Sequence, residues 1–313
     1  MLSRRAFSAS LAALPFAGGA GARTVPRVVA TTGMIADTAR AIGGPPVAVE
    51  GLMGPGVDPH SYRQTRTDIR AMVRADLVLW HGLYLEAQME DVLHDLARSR
   101  PVVAVGEAVP AELLIAHDDY DGRADPHVWM VPALWSHVAG AIGASLAELL
   151  PEDGLAERRA AFDADLAALS IYAAEVLATV PDPARVLVTA HDAFNYFGRE
   201  YGFEVLGIQG ISTESEAGVR RVGELVDRLV EDRIGAVFVE SSVSDRAIRA
   251  LIEGAAARGH EVVIGGELYS DAMGPGGTYE GTYLGMIDHN VTTIARALGG
   301  AAPEAGWRGE LSS

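Results

Sequence analysis

The stretch EDGLAERRAAFDADLAALSIYAAEVLATV, residues 152–180, decides the fold. It has no Gly or Pro after Gly154, and prolines flank it at Pro151 and Pro181. Because proline disrupts a helix interior, these two residues mark the limits of a helix. Apolar residues recur within it at helical spacing: Leu155, Phe162, Leu166, Leu169, Ala173 and Val176. We predict one long, continuous helix that joins the two halves of the chain.

Short β-branched runs alternate with helical stretches on both sides of this helix. The runs before it include VVATTG, VAVEGLM, DLVLWHG and PVVAV, and those after it include ARVLVTA, FEVLGI, GAVFVESS and HEVVIGGEL. This rhythm is typical of mostly parallel sheets flanked by helices. We predict an α/β protein with two such lobes, residues 23–150 and 182–313, joined by a linker helix over residues 151–181.

The N-terminus has the parts of an export signal. We predict a cleaved signal peptide over residues 1–22, in which SRRAF resembles the twin-arginine type. A basic pair, a short apolar segment and a small-residue cleavage site follow one another there: Arg4-Arg5, Phe7 to Phe16, and Ala20-Gly21-Ala22.

Composition narrows the location and the partners. The chain has no cysteine, which removes disulfides, thiolate metal ligands and a lipid-modified cysteine. We therefore expect a periplasmic protein that is not lipid-anchored. The formal net charge of −17 includes the two signal arginines, so the mature chain would carry about −19. Such a charge repels nucleic acid and favours cations.

Four donors follow strands or rigid turns, where parallel sheets place their ligands. Two come from each predicted lobe, which indicates a site in the cleft between them. His60 ends the tight segment GPGVDPH, His127 lies in DPHVW, His191 follows VLVTA, and Asp271 follows VVIGGELYS.

The nine histidines are not equivalent. A single histidine is more often solvated or hydrogen-bonded than bound to a metal. Three histidines and an aspartate that all follow strands or rigid turns, however, favour a metal site. We assign packing or solvated roles to the other six, of which only His81 also follows a strand: His81, His94, His117, His137, His260 and His289.

Three imidazoles and one carboxylate suit Zn²⁺ and tolerate Mn²⁺ or Fe²⁺, whereas Ca²⁺ and Mg²⁺ prefer oxygen. A closed four-ligand shell holds a metal and leaves no position for catalysis. Each ligating imidazole normally has its other nitrogen held by a carboxylate or carbonyl. Glu214, Glu216 and Glu240 are candidates for that role.

Five motifs closely resemble the zinc/manganese-binding solute-binding proteins of bacterial metal ABC transporters: GLMGPGVDPHSY, ADPHVW, VLVTAHDAFNYFGREYGFEV, VFVESS and GGELYSDAMG. The similarity runs from about Val28 to Leu298. It implies two α/β lobes joined by one long rigid helix and a metal buried between them, with ligands at the same four residues. It also implies delivery to a membrane permease energised by a cytoplasmic ATPase, and release through local loop movement.

Two departures from the family bear on the metal. Members that bind manganese often have a glutamate where this chain has His191. Many members that bind zinc have a long His-rich loop before the second histidine, whereas the matching loop of this chain, residues 117–125, is short and acidic. We expect one Zn²⁺ per chain, with Mn²⁺ next, bound by a monomer that is not an enzyme.

Two alternatives stay open. A secreted zinc-dependent hydrolase could use the same ligands, but it needs an open coordination position and a general base, and no HExxH is present. A receptor for a larger chelate would need a wide aromatic cleft, yet the chain has only seven Phe and four Trp.

Overall fold

The computed structural model describes residues 25–116, 123–150, 154–215 and 217–312. The predicted signal peptide lies outside these ranges, as do residues 117–122 of the acidic loop and Glu216. In the described part, parallel strands alternate with helices, which confirms the predicted α/β class.

The N-terminal half contains one four-stranded parallel sheet in the order β2-β1-β3-β4. Ala30 at the end of β1 lies opposite Gly51 of β2 and Leu79 of β3, so the carboxyl ends of these strands meet at one edge. The strands are β1 (Arg27–Ala30), β2 (Ala48–Gly51), β3 (Leu77–Trp80) and β4 (Val102–Ala104). The helices are α1 (Gly33–Gly43), α2 (Arg66–Arg74), α3 (Glu90–Ala97) and α4 (Pro132–Ala147).

The C-terminal half contains two parallel strand pairs that lie side by side through β5 and β7. The first pair is β5 (Val186–His191) with β6 (Glu204–Gln209), and the second is β7 (Ala236–Glu240) with β8 (Val263–Leu268). The helices that follow these strands are α6 (Asn195–Tyr201), α7 (Val219–Glu231), α8 (Arg246–Ala256) and α9 (Tyr283–Ala297).

Between the halves runs α5 (Leu155–Leu177), the longest helix of the described residues. It begins after Gly154, whose positive φ of 79° breaks the helical path. The helix packs against α1 and α4 of the N-terminal half and against α9 of the C-terminal half. Arg158 on α5 also donates to the carbonyls of Ile42 and Gly43 at the end of α1. The predicted connector therefore contacts elements of both halves along its length.

The largest buried apolar cluster continues through both halves around α5. Two smaller clusters lie to either side, one against α2 and α3 and the other against α7 and α8. Trp135 of α4 stacks on Tyr283 of α9, with 5.1 Å between ring centroids, so the core also spans the junction of the halves. Of the helices that the structure describes, none combines the length and apolar character needed to cross a bilayer.

Candidate metal centre

The structure brings the four predicted donors together at the junction of the halves. One donor atom from each of His60, His127, His191 and Asp271 lies within 4.8 Å of the others, and all four residues are buried. Nε2 of His127 lies 3.3 Å from Nε2 of His60 and 3.3 Å from Nε2 of His191. The four donors therefore face a common centre.

His60 ends the turn that follows β2. Gly56 in this turn has a φ of 71°, a left-handed conformation that side-chain-bearing residues rarely adopt. Two residues before the histidine, Oδ1 of Asp58 accepts a hydrogen bond from the His60 backbone N–H at 2.9 Å. The turn thus fixes where His60 projects. Nδ1 of the His60 ring has no hydrogen-bond partner among the described residues.

His127 repeats this arrangement in its own Asp-Pro-His segment. Oδ1 of Asp125 accepts from the His127 backbone at 2.9 Å and from ring Nδ1 at 2.7 Å, which turns Nε2 toward the centre. Burial alone would raise the pKa of Asp125, but the His127 imidazole lowers it below its ordinary value. Trp129, fully buried, lies against the His127 ring at 5.0 Å between centroids.

His191 is held by Glu240, the last residue of the neighbouring strand β7. Oε2 of Glu240 accepts from ring Nδ1 at 2.6 Å, and Oε1 accepts from the His191 backbone at 3.0 Å. Glu240 is therefore the one of the three proposed carboxylates that holds a candidate ligand. The side chain of Glu214 instead accepts from Gln88, and Glu216 lies outside the described residues.

Asp271 presents both carboxylate oxygens to the histidines. Oδ1 lies 3.4 Å from Nε2 of His127, and Oδ2 lies 3.2 Å from Nε2 of His191. Burial alone would raise the pKa of Asp271, yet the neighbouring histidines, His191 first, lower it well below its ordinary value. Oδ1 is buried and accepts no hydrogen bond from the described residues. A buried carboxylate oxygen in this position suits a cation.

The spacing of the donors fits a metal ion. An ion bound tetrahedrally at about 2.1 Å separates its ligand atoms by about 3.4 Å. The Nε2 atoms of His60 and His191 each lie 3.3 Å from that of His127. The two oxygens of Asp271 are divided between two histidines, with Oδ1 3.4 Å from Nε2 of His127 and Oδ2 3.2 Å from Nε2 of His191. The arrangement can hold one ion with three imidazoles and a carboxylate.

The other histidines lie outside this group. His81 is fully buried, where its Nε2 bonds to the carbonyl of Pro126 at 2.8 Å, and burial lowers its pKa to about 3. His94 is exposed on α3, and His117 lies outside the described residues. His260 and His289 bond to backbone carbonyls, and His137 lies on α4.

Sequence reasoning missed the aspartates that orient two of the histidines. Asp58 and Asp125 stand two residues before His60 and His127, and the repeated Asp-Pro-His segment was the signal that could have identified them. When an aspartate side chain accepts a hydrogen bond from the backbone N–H of the second residue after it, the two residues form a compact turn.

Three comparisons relate the chain to known proteins. The family described as ZnuA, zinc-uptake complex component A periplasmic, matches residues 28–297. The manganese-binding lipoprotein MntA of Bacillus subtilis is 50% identical over 275 residues, which cover 87% of this chain and 89% of that protein. The zinc-binding protein TroA of Treponema pallidum is 46% identical over 275 residues, with the same coverage. The solved structure of periplasmic zinc-binding TroA has a TM-score of 0.86 and covers 88% of this chain and 99% of its own.

The prediction that the protein is not lipid-anchored is wrong on these comparisons. MntA is named a lipoprotein, and so is FimA of Streptococcus parasanguinis, which is 26% identical over 87% of this chain and 89% of its own length. The prediction rested on the absence of one residue type, cysteine.

Proposed function

Because the chain belongs to the ZnuA family of metal-binding solute-binding proteins, we propose that it captures one divalent transition-metal ion and delivers it to an ABC transporter. In this family the partners are a membrane permease and its ATPase. The proposed ligands are His60, His127, His191 and Asp271. The convergence of these four buried donors within 4.8 Å is the observation that carries the proposal.

The proposed metal is Zn²⁺, with Mn²⁺ next. Three imidazoles and one carboxylate are the donors that zinc commonly takes, and the separations near 3.3 Å support a four-coordinate ion. Relatives of similar identity are named for both metals, MntA for manganese and TroA for zinc. A competition titration of the two ions decides between them.

We propose a binding protein and not an enzyme. A hydrolase with these ligands would need an open coordination position and a general base beside the metal. Glu240 is the carboxylate at the His191 side, but both of its oxygens accept hydrogen bonds from His191. It is therefore committed to holding a ligand, and the hydrolase alternative is not supported.

The remaining proposals concern organisation. We propose that the protein is a monomer. We also propose that it does not bind nucleic acid, because its acidic composition repels the phosphate backbone. We also propose that residues 23–150 and 182–313 form the two lobes, with 151–181 as the linker. The packing of α5 against α1, α4 and α9 supports this division.

Metal analysis tests the proposed function. Protein purified without added metal, then loaded with Zn²⁺ and passed through a desalting column, should contain about one ion per chain by plasma mass spectrometry. Its thermal midpoint should rise on loading, since a ligand that binds only the folded state stabilises it. No bound metal and no thermal shift with either Zn²⁺ or Mn²⁺ would refute the proposal.

A further inference from the structure

The two Asp-Pro-His segments of the N-terminal half each make a second hydrogen bond that reaches the C-terminal half. In both segments one aspartate oxygen accepts from the histidine backbone N–H at 2.9 Å. The other oxygen accepts from a side chain beyond α5. The two segments lie 67 residues apart in the chain, so the repetition is not a local effect.

At the first segment the donor is Thr213, in the loop that follows β6. Its Oγ1 donates to Oδ2 of Asp58 at 2.6 Å. The loop is itself held by Gln209, the last residue of β6, whose Nε2 donates to the carbonyl of Ser215 at 2.9 Å. Beside it, Gln88 of the N-terminal half donates to the side chain of Glu214. The loop therefore contacts the N-terminal half at two places.

At the second segment the donor is Asn195, the first residue of α6. Its Nδ2 donates to Oδ2 of Asp125 at 3.0 Å, and Tyr196 beside it donates to the Asp125 backbone carbonyl at 2.7 Å. Asn195 follows His191 by four residues. The side chain that supports His127 thus stands on the same short segment as His191.

We propose that Thr213 and Asn195 are positioning residues, which orient His60 and His127 through Asp58 and Asp125 only when the two halves are closed. This inference rests on the proposed function. Neither residue belongs to the group of metal donors. Each would act by fixing the aspartate that in turn fixes the histidine backbone, so a complete set of donors depends on contacts from both halves.

The physical consequence concerns metal release. Without Thr213, Oδ2 of the half-buried Asp58 keeps the Ser61 hydroxyl, at 2.8 Å, as its donor. The loss of the Thr213 hydrogen bond, which alone ties Asp58 to the C-terminal half among the contacts described, favours rotation of Asp58 toward water. That rotation removes the acceptor of the His60 backbone N–H. Opening of the Thr213 loop would then loosen His60 while the helix α5 stays in place.

The dissociation rate of Zn²⁺ into an excess of a chromophoric chelator, followed by stopped flow, tests the inference. Thr213→Val removes the hydroxyl at constant shape, and it should release the ion about fivefold to tenfold faster, the loss of one hydrogen bond. Thr213→Ser keeps the hydroxyl and should restore the rate to within about twofold. Thr67→Val, the same change at an exposed position of α2, serves as the matched control.

A wild-type rate in Thr213→Val, or a Thr213→Ser variant as fast as Thr213→Val, would overturn the inference. Thr213→Ala gives the same comparison if the valine variant does not fold. Should the wild type bind neither Zn²⁺ nor Mn²⁺, the proposed function fails, and hydrogen exchange of the His60 amide in metal-free protein decides the inference separately. Faster exchange in Thr213→Val than in wild type supports it, and equal exchange overturns it.

Discussion

Nε2 of His60 lies 3.3 Å from Nε2 of His127, although 67 residues separate them in the chain. The two rings tilt by 48° with 5.3 Å between centroids, so their nitrogens approach while their faces do not stack. Burial lowers the pKa of His60 to about 3. A neutral imidazole offers a lone pair, which is the form that a metal ion requires.

His60→Ala or His191→Ala should each weaken metal affinity by at least about tenfold, because one of four ligands is lost. His94→Ala, on the exposed face of α3, should leave affinity nearly unchanged. Isothermal titration with Zn²⁺ measures all three. Equal losses in the three variants would show that the histidines have been sorted wrongly.

Glu240→Gln should weaken metal binding about tenfold to hundredfold without touching the metal. The glutamine amide keeps the shape of the side chain but removes the negative charge of Oε2, which lies 2.6 Å from Nδ1 of the His191 ring. Glu253→Gln, an exposed position on α8, makes the same chemical change away from the site. If the two glutamine variants bind Zn²⁺ alike, Glu240 does not support the ligand.

Metal binding should release protons at pH 7.5. Burial alone would lower the pKa of His127, but Asp125 raises it to about 9, and Asp271 and Glu240 raise that of His191 well above its ordinary value. Both rings are therefore in the imidazolium form in the metal-free protein, and Zn²⁺ must displace the proton on Nε2 of each. Titration calorimetry in buffers of different ionisation enthalpy should show at least about one proton released per ion. Affinity should fall from pH 7.5 to 5, and a flat profile would exclude a three-histidine site.

The stability of the metal-free protein should decrease as pH rises, whereas the metal affinity should increase. The folded pKa of His127, about 9, exceeds the unfolded value of about 6.5. Its contribution to stability is therefore fully present below about pH 6.5 and is lost as pH rises through about 9. The thermal midpoint of metal-free protein should fall between pH 7 and 9.5, and the decrease should be smaller in His127→Gln. A midpoint that rises over this range would contradict the assignment.

Arg158→Met should lower the free energy of unfolding by about 1.5–3 kcal/mol, the range for hydrogen bonds to a charged group. Arg158 donates to the carbonyls of Ile42 and Gly43 at 2.8 Å each, which ties α5 to the end of α1. Arg220→Met, at an exposed position on α7, is the matched control. Urea denaturation gives the difference. A variant as stable as wild type would show that this contact contributes little.

Much of the fold follows from local pattern. Gly154 and the prolines around residues 152–180 predict a long helix because their effects are local, and α5 differs from that prediction only at its ends. The α/β alternation likewise predicts parallel strands. The four candidate ligands could be selected because strand ends meet at one edge of a sheet, a rule of topology that needs no side-chain detail.

The partners of those ligands could not be predicted in the same way. Glu240 holds His191 across 49 residues, and the choice among Glu214, Glu216 and Glu240 depends on which strand lies beside β5. The hydrogen bond from His81 to the Pro126 carbonyl likewise spans 45 residues. Such pairings arise from tertiary packing, which a reading of neighbouring residues does not contain.

The most direct test is anomalous diffraction from a crystal of the zinc-loaded protein at the zinc absorption edge. We expect one strong peak about 2.0–2.2 Å from Nε2 of His60, His127 and His191 and from an oxygen of Asp271. A peak at another place, or a peak at this place that lacks one of the four residues as a ligand, would contradict this expectation.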